Sequence, residues 1–522
     1  MKVALVRTPV INLRNSPFGS TPGVPSNLAY LVSVLQEAGH SVAVVDSYGM
    51  APHRFLPYLD KFEARGLKPS EAIQSIPEDV DVIGISVHCT LEHGVGLQLV
   101  EESKKRFPNI PVVIGGYHTT FCVDPFLENG ADYVIQGEGE QRFPMLLNML
   151  ENSEEFTLDG IYGHGFASER IPRNNPIEDL PFGNFDPLPL ERYWSLHYAH
   201  GPVRKGRYLS LFTSRGCPFN CAFCQTPKMW GGNWMAKSYM RVIDEMDYYH
   251  KEYGVNDFHI QDENFSLSRE RTRNFAEELL RRERKYFYCF PSGIKAETVG
   301  KKELELLYRS GCRYFALSPE SASKKVLKLM NKTVDLDHVV KVVKYCHKLG
   351  IRVNCNFVLG FPGEEKSDRR KTYRYIRKLA RLGLDEIVAF MLTPLPSTAV
   401  EDLMPEGLEY EDMNFSPTWR DNYRAITRAR IWIYIQFIMI KTLFHPLKVL
   451  ESFLAVVTRR FRMKSDMTVY RFLCDLFDRH LRGAVLKDLP FAIEQVDWHP
   501  PVNTSGQGSR TSLFEHNDSG RT

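Results

Sequence analysis

The stretch Thr213-Ser-Arg-Gly-Cys217-Pro-Phe-Asn-Cys221-Ala-Phe-Cys224 gathers three thiols on one loop, directly after an apolar strand candidate at 208–213. Thiolates suit iron–sulfur clusters or zinc, and ligand type alone does not separate the two. Three thiols so closely spaced can wrap one face of an iron–sulfur cube. No fourth Cys lies nearby in sequence, so one iron would stay open to a small ligand. A structural zinc site would want a fourth protein ligand and usually comes as two pairs, whereas the nearest His residues, His197 and His200, precede the strand. The plain alternative is three cysteines packed in a turn.

Working outward from this loop, further strand candidates fall at 257–261, 286–291, 314–318, 352–359 and 386–392. Amphipathic helix patterns lie between them at 239–253, 268–284, 302–310, 337–349 and 366–382. Strand–helix units repeated in this way predict an open, partial barrel over 201–400, whose chemistry belongs at the C-terminal strand ends. The Cys loop sits at such an end.

Residues 1–150 alternate in the same manner, with strand candidates at 2–7, 41–46, 82–87, 112–115 and 133–136. They predict a doubly wound, Rossmann-like parallel sheet with its ligand loops at the carboxyl ends of the strands. The stretch 151–200, rich in Pro and Gly near 177–190, reads as an ordered linker. Residues 401–497 read as mainly helical, and 498–522 as a polar, disordered tail.

Composition sets bounds. The chain has 522 residues, 43% hydrophobic and 25% charged, with 66 Lys plus Arg against 63 Asp plus Glu. A formal charge of +3 gives no case for nucleic-acid binding. The N-terminal run MKVALVRTPV is too short for a secretory h-region, and the apolar run 431–440 is too short to span a bilayer. These features predict a cytoplasmic protein.

The Cys-x3-Cys-x2-Cys spacing, with the aromatic Phe223 before the last Cys, resembles the radical S-adenosylmethionine (SAM) superfamily. In that family three Cys hold a [4Fe–4S] cluster, which implies Cys217, Cys221 and Cys224 as metal ligands here. The open iron chelates SAM, and one electron cleaves SAM to methionine and a 5′-deoxyadenosyl radical. Three further segments resemble the family in order and position. Phe258-His-Ile-Gln-Asp262-Glu263-Asn264 ends the second barrel strand, where the family contacts the SAM amino group. Ala316-Leu-Ser318-Pro-Glu320-Ser321 resembles a Gly-Ile-Glu-Ser-Gly-Ser segment, with Pro319 and Ala322 as departures. Gly360-Phe-Pro-Gly363-Glu364 resembles the turn beside the adenine. The implied SAM contacts are Asp262, Glu263, Ser318, Glu320, Ser321, Gly360 and Gly363.

The layout and loop chemistry of residues 1–145 resemble the cobalamin-binding domain that precedes many radical SAM domains. This implies cobalamin contacts from Ser86 and Thr90, from Gly115, Gly116, His118 and Thr119, and from Gly137 and Glu138. Many such domains carry Asp-x-His-x-x-Gly after the first strand. Here residues 8–19 contain no His, so the cobalt is expected to lack a His ligand from the protein. The combined resemblance implies a radical C-methyltransferase, with an oxidative cyclase like the anaerobic tetrapyrrole cyclases as the rival and a non-catalytic cobalamin or redox sensor as the reading from another class. An RNA methylthiotransferase fits less well, since only Cys89 and Cys122 lie N-terminal. The expected partners are a small-molecule, lipid-like or tetrapyrrole substrate and an electron donor such as flavodoxin or ferredoxin. The apolar, arginine-flanked region 428–462 reads either as a helical cap over the barrel or as a surface for a large apolar substrate in contact with a membrane.

Overall fold

The computed structural model describes residues 1–14, 16, 22–152, 159–164, 177–414, 416–479 and 492–502. Its first layer is a six-stranded sheet in the order Ser41–Asp46, Lys2–Arg7, Val82–Ser86, Val112–Gly115, Tyr133–Ile135, Ile161–Gly163. All neighbours are parallel except the last pair. The apolar runs have two burial tasks. Val3 and Leu5 face the core shared with the barrel, while Ala4 and Val6 face a second core on the opposite side. Such runs suit a parallel sheet covered on both faces. The chain leaves the Lys2–Arg7 strand on one side and returns on the other, and this reversal places the ligand crevice at the carboxyl ends.

Two elements depart from expectation. The edge strand Ile161–Gly163 lies within the stretch expected to be linker. Val10–Leu13, Phe62–Arg65 and Phe55–Tyr58 form a small antiparallel sheet over Leu91 and Val95. Each strand is too short to show a period, and one contains Pro57.

The second sheet follows chain order: Leu209–Leu211, Asp257–Ile260, Phe287–Phe290, Cys312–Glu320, Arg352–Leu359, Glu386–Met391, every pair parallel. No ladder joins the first strand to the last among the described residues, so this is the open (β/α)6 barrel. Three helices follow it: Tyr423–Phe444, Pro446–Thr458 and Lys464–Phe477. They are fastened to the last strand by polar contacts. The Tyr434 hydroxyl accepts the Ala389 N–H at 2.9 Å, Lys441 donates to the Asp385 carbonyl at 2.8 Å, and Lys448 donates to the Asp385 carboxylate at 2.7 Å. Lys464 reaches the Pro291 carbonyl at 2.9 Å and His200 at 3.2 Å. Burial holds the Lys464 ammonium down to about 8 and His200 down to about 3.

The expected tail needs correction at its start. Val42 and His499 exchange backbone hydrogen bonds of 2.9 and 2.8 Å, adding a bridge to the edge of the first sheet. The remainder of that expectation, residues 503–522, lies outside the described residues, as do 165–176.

The two sheets share one core through the helix Ser26–Glu37. Ser26 Oγ donates to the Ser210 carbonyl at 2.7 Å. Deeper, the Lys237 ammonium meets Glu245 at 2.7 Å and the Tyr30 hydroxyl at 3.0 Å. Tyr249 donates to the same carboxylate at 2.8 Å, and Tyr30 also donates to it. Removing one partner of a buried pair strands the other charge. Glu245→Gln is therefore expected to cost about 3–5 kcal/mol, read as a lower denaturant midpoint. An unchanged midpoint would mean that the network contributes nothing.

Candidate functional site

The Cys loop is closed by a hairpin: Ser214–Gly216 pairs antiparallel with Trp234–Ala236. Gly216 adopts φ +84, and a Cβ there would lie 2.1 Å from the Asn233 carbonyl oxygen. Only glycine permits this closure without moving backbone. The far side of the loop is tied to the end of the fourth barrel unit. Ala222 N–H donates to the Met330 carbonyl at 2.9 Å, and Asn331 Nδ2 donates to the Asn220 carbonyl at 2.7 Å. Phe223 packs edge-on to Phe361, with centroids 6.4 Å apart, which joins the Cys loop to the Gly360–Gly363 turn.

Cys217, Cys221 and Cys224 are free thiols, each half-buried. Burial raises the Cys217 thiol and pushes Cys221 up to about 11, with the Lys332 cation opposing the rise in both. Lys332 also donates to Glu320 at 3.3 Å. Glu320 is buried and has φ +60, a left-handed conformation uncommon for a long side chain. A cation and a constrained carboxylate thus lie beside the thiols.

Several of the expected SAM contacts carry internal hydrogen bonds. Asp262 is 1% exposed, and its carboxylate accepts from Thr213 N–H at 2.7 Å, Thr213 Oγ1 at 2.6 Å and Ser214 Oγ at 2.6 Å. It holds the root of the Cys loop. Glu263, half-buried, accepts from Gly216 N–H at 3.3 Å and Trp230 Nε1 at 3.2 Å. Ser321 is fully buried, with its hydroxyl 3.3 Å from Thr372 Oγ1 and accepting from Ser323 N–H at 3.2 Å. Ser318 remains half-buried and accepts from Asn356 at 3.2 Å. Gly360 and Gly363 both have positive φ. The Gly360 N–H is taken by Glu364 at 2.8 Å and its carbonyl by Arg420 at 2.6 Å.

On the first domain, Ser86, Gly115, Gly116 and Gly137 stay half-buried at the strand ends. A Cβ on Gly116 would fall 2.3 Å from the Val87 carbonyl oxygen, so this loop turns as it does only with glycine. Thr90 is buried, and Thr119 is fully buried with its hydroxyl donating to the Gly116 carbonyl at 3.0 Å. His118 also turns inward. Its Nε2 lies 2.9 Å from His93 Nδ1, beneath Tyr410, whose hydroxyl pairs with Cys122 at 3.3 Å. His118 and Thr119 thus both have internal partners. His93, His118 and Cys122 form one buried polar group.

Glu138 has its partner in the second domain. It forms a buried ion pair of 2.6 Å with Arg215, two residues before Cys217, and Glu140 pairs with the same guanidinium. Burial works against both carboxylates, and Arg215 offsets that cost. Burial, and after it the nearby Cys224 and Glu263 charges, raises the phenol of Tyr117, from the loop after the Val112–Gly115 strand. Neither Arg215 nor Tyr117 was a sequence expectation. The position of Arg215 beside the Cys motif was the one available signal. The cobalamin-type loops of the first domain therefore face the Cys loop of the second.

The residues present fit the cofactors that the resemblance implies. The thiol donor set is soft and gathered on one rigid loop beside a cation. Asn264 Oδ1, just past the second barrel strand, is buried without a partner.

Known proteins place the chain. The radical SAM superfamily model matches residues 211–404 and the B12 binding domain model matches residues 20–147. An uncharacterized methyltransferase of Pyrococcus horikoshii is 28% identical, over 76% of this chain and 82% of its own length. The cytidylyl-2-hydroxyethylphosphonate methyltransferase of Streptomyces wedmorensis is 26% identical, over 67% and 72%. The anaerobic magnesium-protoporphyrin IX monomethyl ester cyclase of Rubrivivax gelatinosus is 27% identical, over 60% and 57%. Among solved structures, the radical SAM methyltransferase TsrM from Kitasatospora setae superposes with a TM-score of 0.59 at 19% identity, over 76% of this chain and 74% of that one. The cobalamin-dependent SAM radical enzyme OxsB gives 0.58 at 18% identity, over 82% and 56%. The paired domains, in this order and with the thiol loop at their seam, make the chain a member of the cobalamin-binding radical SAM enzymes, whose cofactors are a [4Fe–4S] cluster, SAM and cobalamin.

Proposed function

We propose that the chain is a radical C-methyltransferase that methylates an unactivated carbon of an apolar substrate, with Cys217, Cys221 and Cys224 as the cluster ligands. The observation that carries the reading is the seam itself: the thiol loop of the barrel is clamped by Arg215 to the fifth-strand loop of the first domain. When bound, the cluster and SAM supply a hydrogen-abstracting radical and cobalamin supplies a methyl group. The chain's own residues hold these partners in one line. Asp262 fixes the root of the thiol loop, Lys332 offsets the charge gathered by the thiolates, and the Gly115–Gly116 and Gly137 turns let backbone approach a bulky cofactor. Lys464 and His200 close the barrel interior beneath the site and help to exclude water. A cytoplasmic flavodoxin or ferredoxin is the electron donor in this reading. The methyltransferase names of relatives sharing both halves of the chain support methyl transfer, and the cyclase relatives keep oxidative cyclisation as the second reading.

Product mass separates the two. Anaerobic turnover of the reconstituted protein with apolar metabolites is expected to give a product heavier by one methylene. Loss of hydrogen or gain of oxygen would assign the cyclase reading. In Cys221→Ala, the visible absorbance of the cluster and the release of 5′-deoxyadenosine are both expected to vanish, and retention of both would remove Cys221 from the ligand set. Arg215→Gln leaves the cysteines in place but frees the two loops. Methylated product is expected to fall by up to about a hundredfold, well beyond any fall in 5′-deoxyadenosine release. An equal loss of both would deny Arg215 a role in alignment.

A further inference from the structure

The helices Tyr423–Phe444 and Pro446–Thr458 meet at a bend of 110°. Their inner face is committed to the barrel through Tyr434, Lys441 and Lys448. Their outer face is apolar along its whole length. Ile431, Trp432, Ile435, Ile438 and Met439 are exposed on the first helix, and Leu450, Phe453 and Val457 on the second. At the bend, Leu443 is 75% and Leu447 is 73% exposed, with Phe444 between them. The helix Lys464–Phe477 extends the face with Val469, Phe472 and Phe477. Soluble proteins rarely expose a contiguous apolar surface of this extent unless something covers it. Among the described residues no single helix is long and apolar enough to cross a membrane.

The charges around the face indicate what covers it. Arg424, Arg428, Arg459, Arg460 and Arg462 are exposed along its edges. The one acidic residue between 423 and 463 is Glu451, and it is paired with Arg352 and Arg462. An apolar wedge with an arginine margin matches the interface of an anionic bilayer, where apolar side chains enter the headgroup boundary and cations meet lipid phosphates. A second copy fits poorly, because a two-fold contact would set the same arginines against each other without acidic partners.

The start of the first helix packs at the C-terminal strand ends, and its far end, with the bend, packs at the opposite ends through Lys441 and Lys448 on Asp385. Ile426 lies against Gly360, and Arg420, just before the helix, holds the carbonyls of Gly360 and Leu392 at the C-terminal strand ends. We propose that this bent helix pair and the helix after it form a monotopic docking surface for anionic phospholipid membranes, with its apolar bend beside the N-terminal ends of the fifth and sixth barrel strands. The docking stands whether or not the methyl-transfer reading does.

The test is flotation of the full-length holoenzyme with phosphatidylcholine vesicles, with and without phosphatidylglycerol. The protein is expected to float with the phosphatidylglycerol vesicles and to be released as salt rises. The triple variant Leu443→Ser, Phe444→Ser, Leu447→Ser changes only exposed positions. With unchanged cluster absorbance and circular dichroism, its vesicle-bound fraction is expected to fall by roughly tenfold or more. Absence of flotation with either vesicle, or equal flotation of the variant, would overturn the proposal. So would a lipid-free dimer in analytical ultracentrifugation that the same variant dissolves, since that would give the face to a second copy.

Discussion

One buried carboxylate sets the position of the chemistry. Asp262, at the end of the second barrel strand, takes three hydrogen bonds from Thr213 and Ser214 and so fixes where the thiol loop leaves the first strand. Burial alone would favour the protonated acid, and the three donors together with the nearby Arg271 cation oppose that rise. From this root the loop runs through a hairpin that only Gly216 can close and returns to Met330 and Asn331 at the fourth barrel unit. The thiols are positioned by groups that do not touch them.

The second dependence is between domains. Arg215 follows that root by one residue and is neutralised by two glutamates of the first domain. Such a pair gives little net stability, since desolvation offsets attraction, but it is costly to break and therefore fixes register. Together with the Lys237–Glu245–Tyr30 network, it gives the halves a defined relation across a shared apolar core. A reaction between partners bound on different domains needs such a relation, because small misalignments are expensive.

The fold was largely legible in the sequence because its strands are long apolar runs and its helices are strongly periodic. The strands at 2–7, 41–46 and 352–359 lie where the pattern places them. Short elements escaped, as at Ile161–Gly163 and Phe55–Tyr58, where three or four residues cannot display a period. The site was less legible. Motif position indicates which loop a residue occupies but not which way its side chain turns, and Asp262, Ser321, His118 and Thr119 spend their polar atoms inside the protein. Glu138 was read by itself, although its partner lies 77 positions away, and such long-range pairing leaves no local trace. The region 428–462 presented two readings, and each describes one face of the same helices: the inner face caps the barrel and the outer face stays apolar.

The central claim is that three thiols of one loop hold an iron–sulfur cluster with an iron open to SAM. Electron paramagnetic resonance of the reduced, anaerobically reconstituted protein, recorded with and without SAM, addresses it most directly. A [4Fe–4S]⁺ signal whose g-values shift when SAM is added is the expected result. A signal indifferent to SAM, or a reduced protein with no cluster signal, would contradict it.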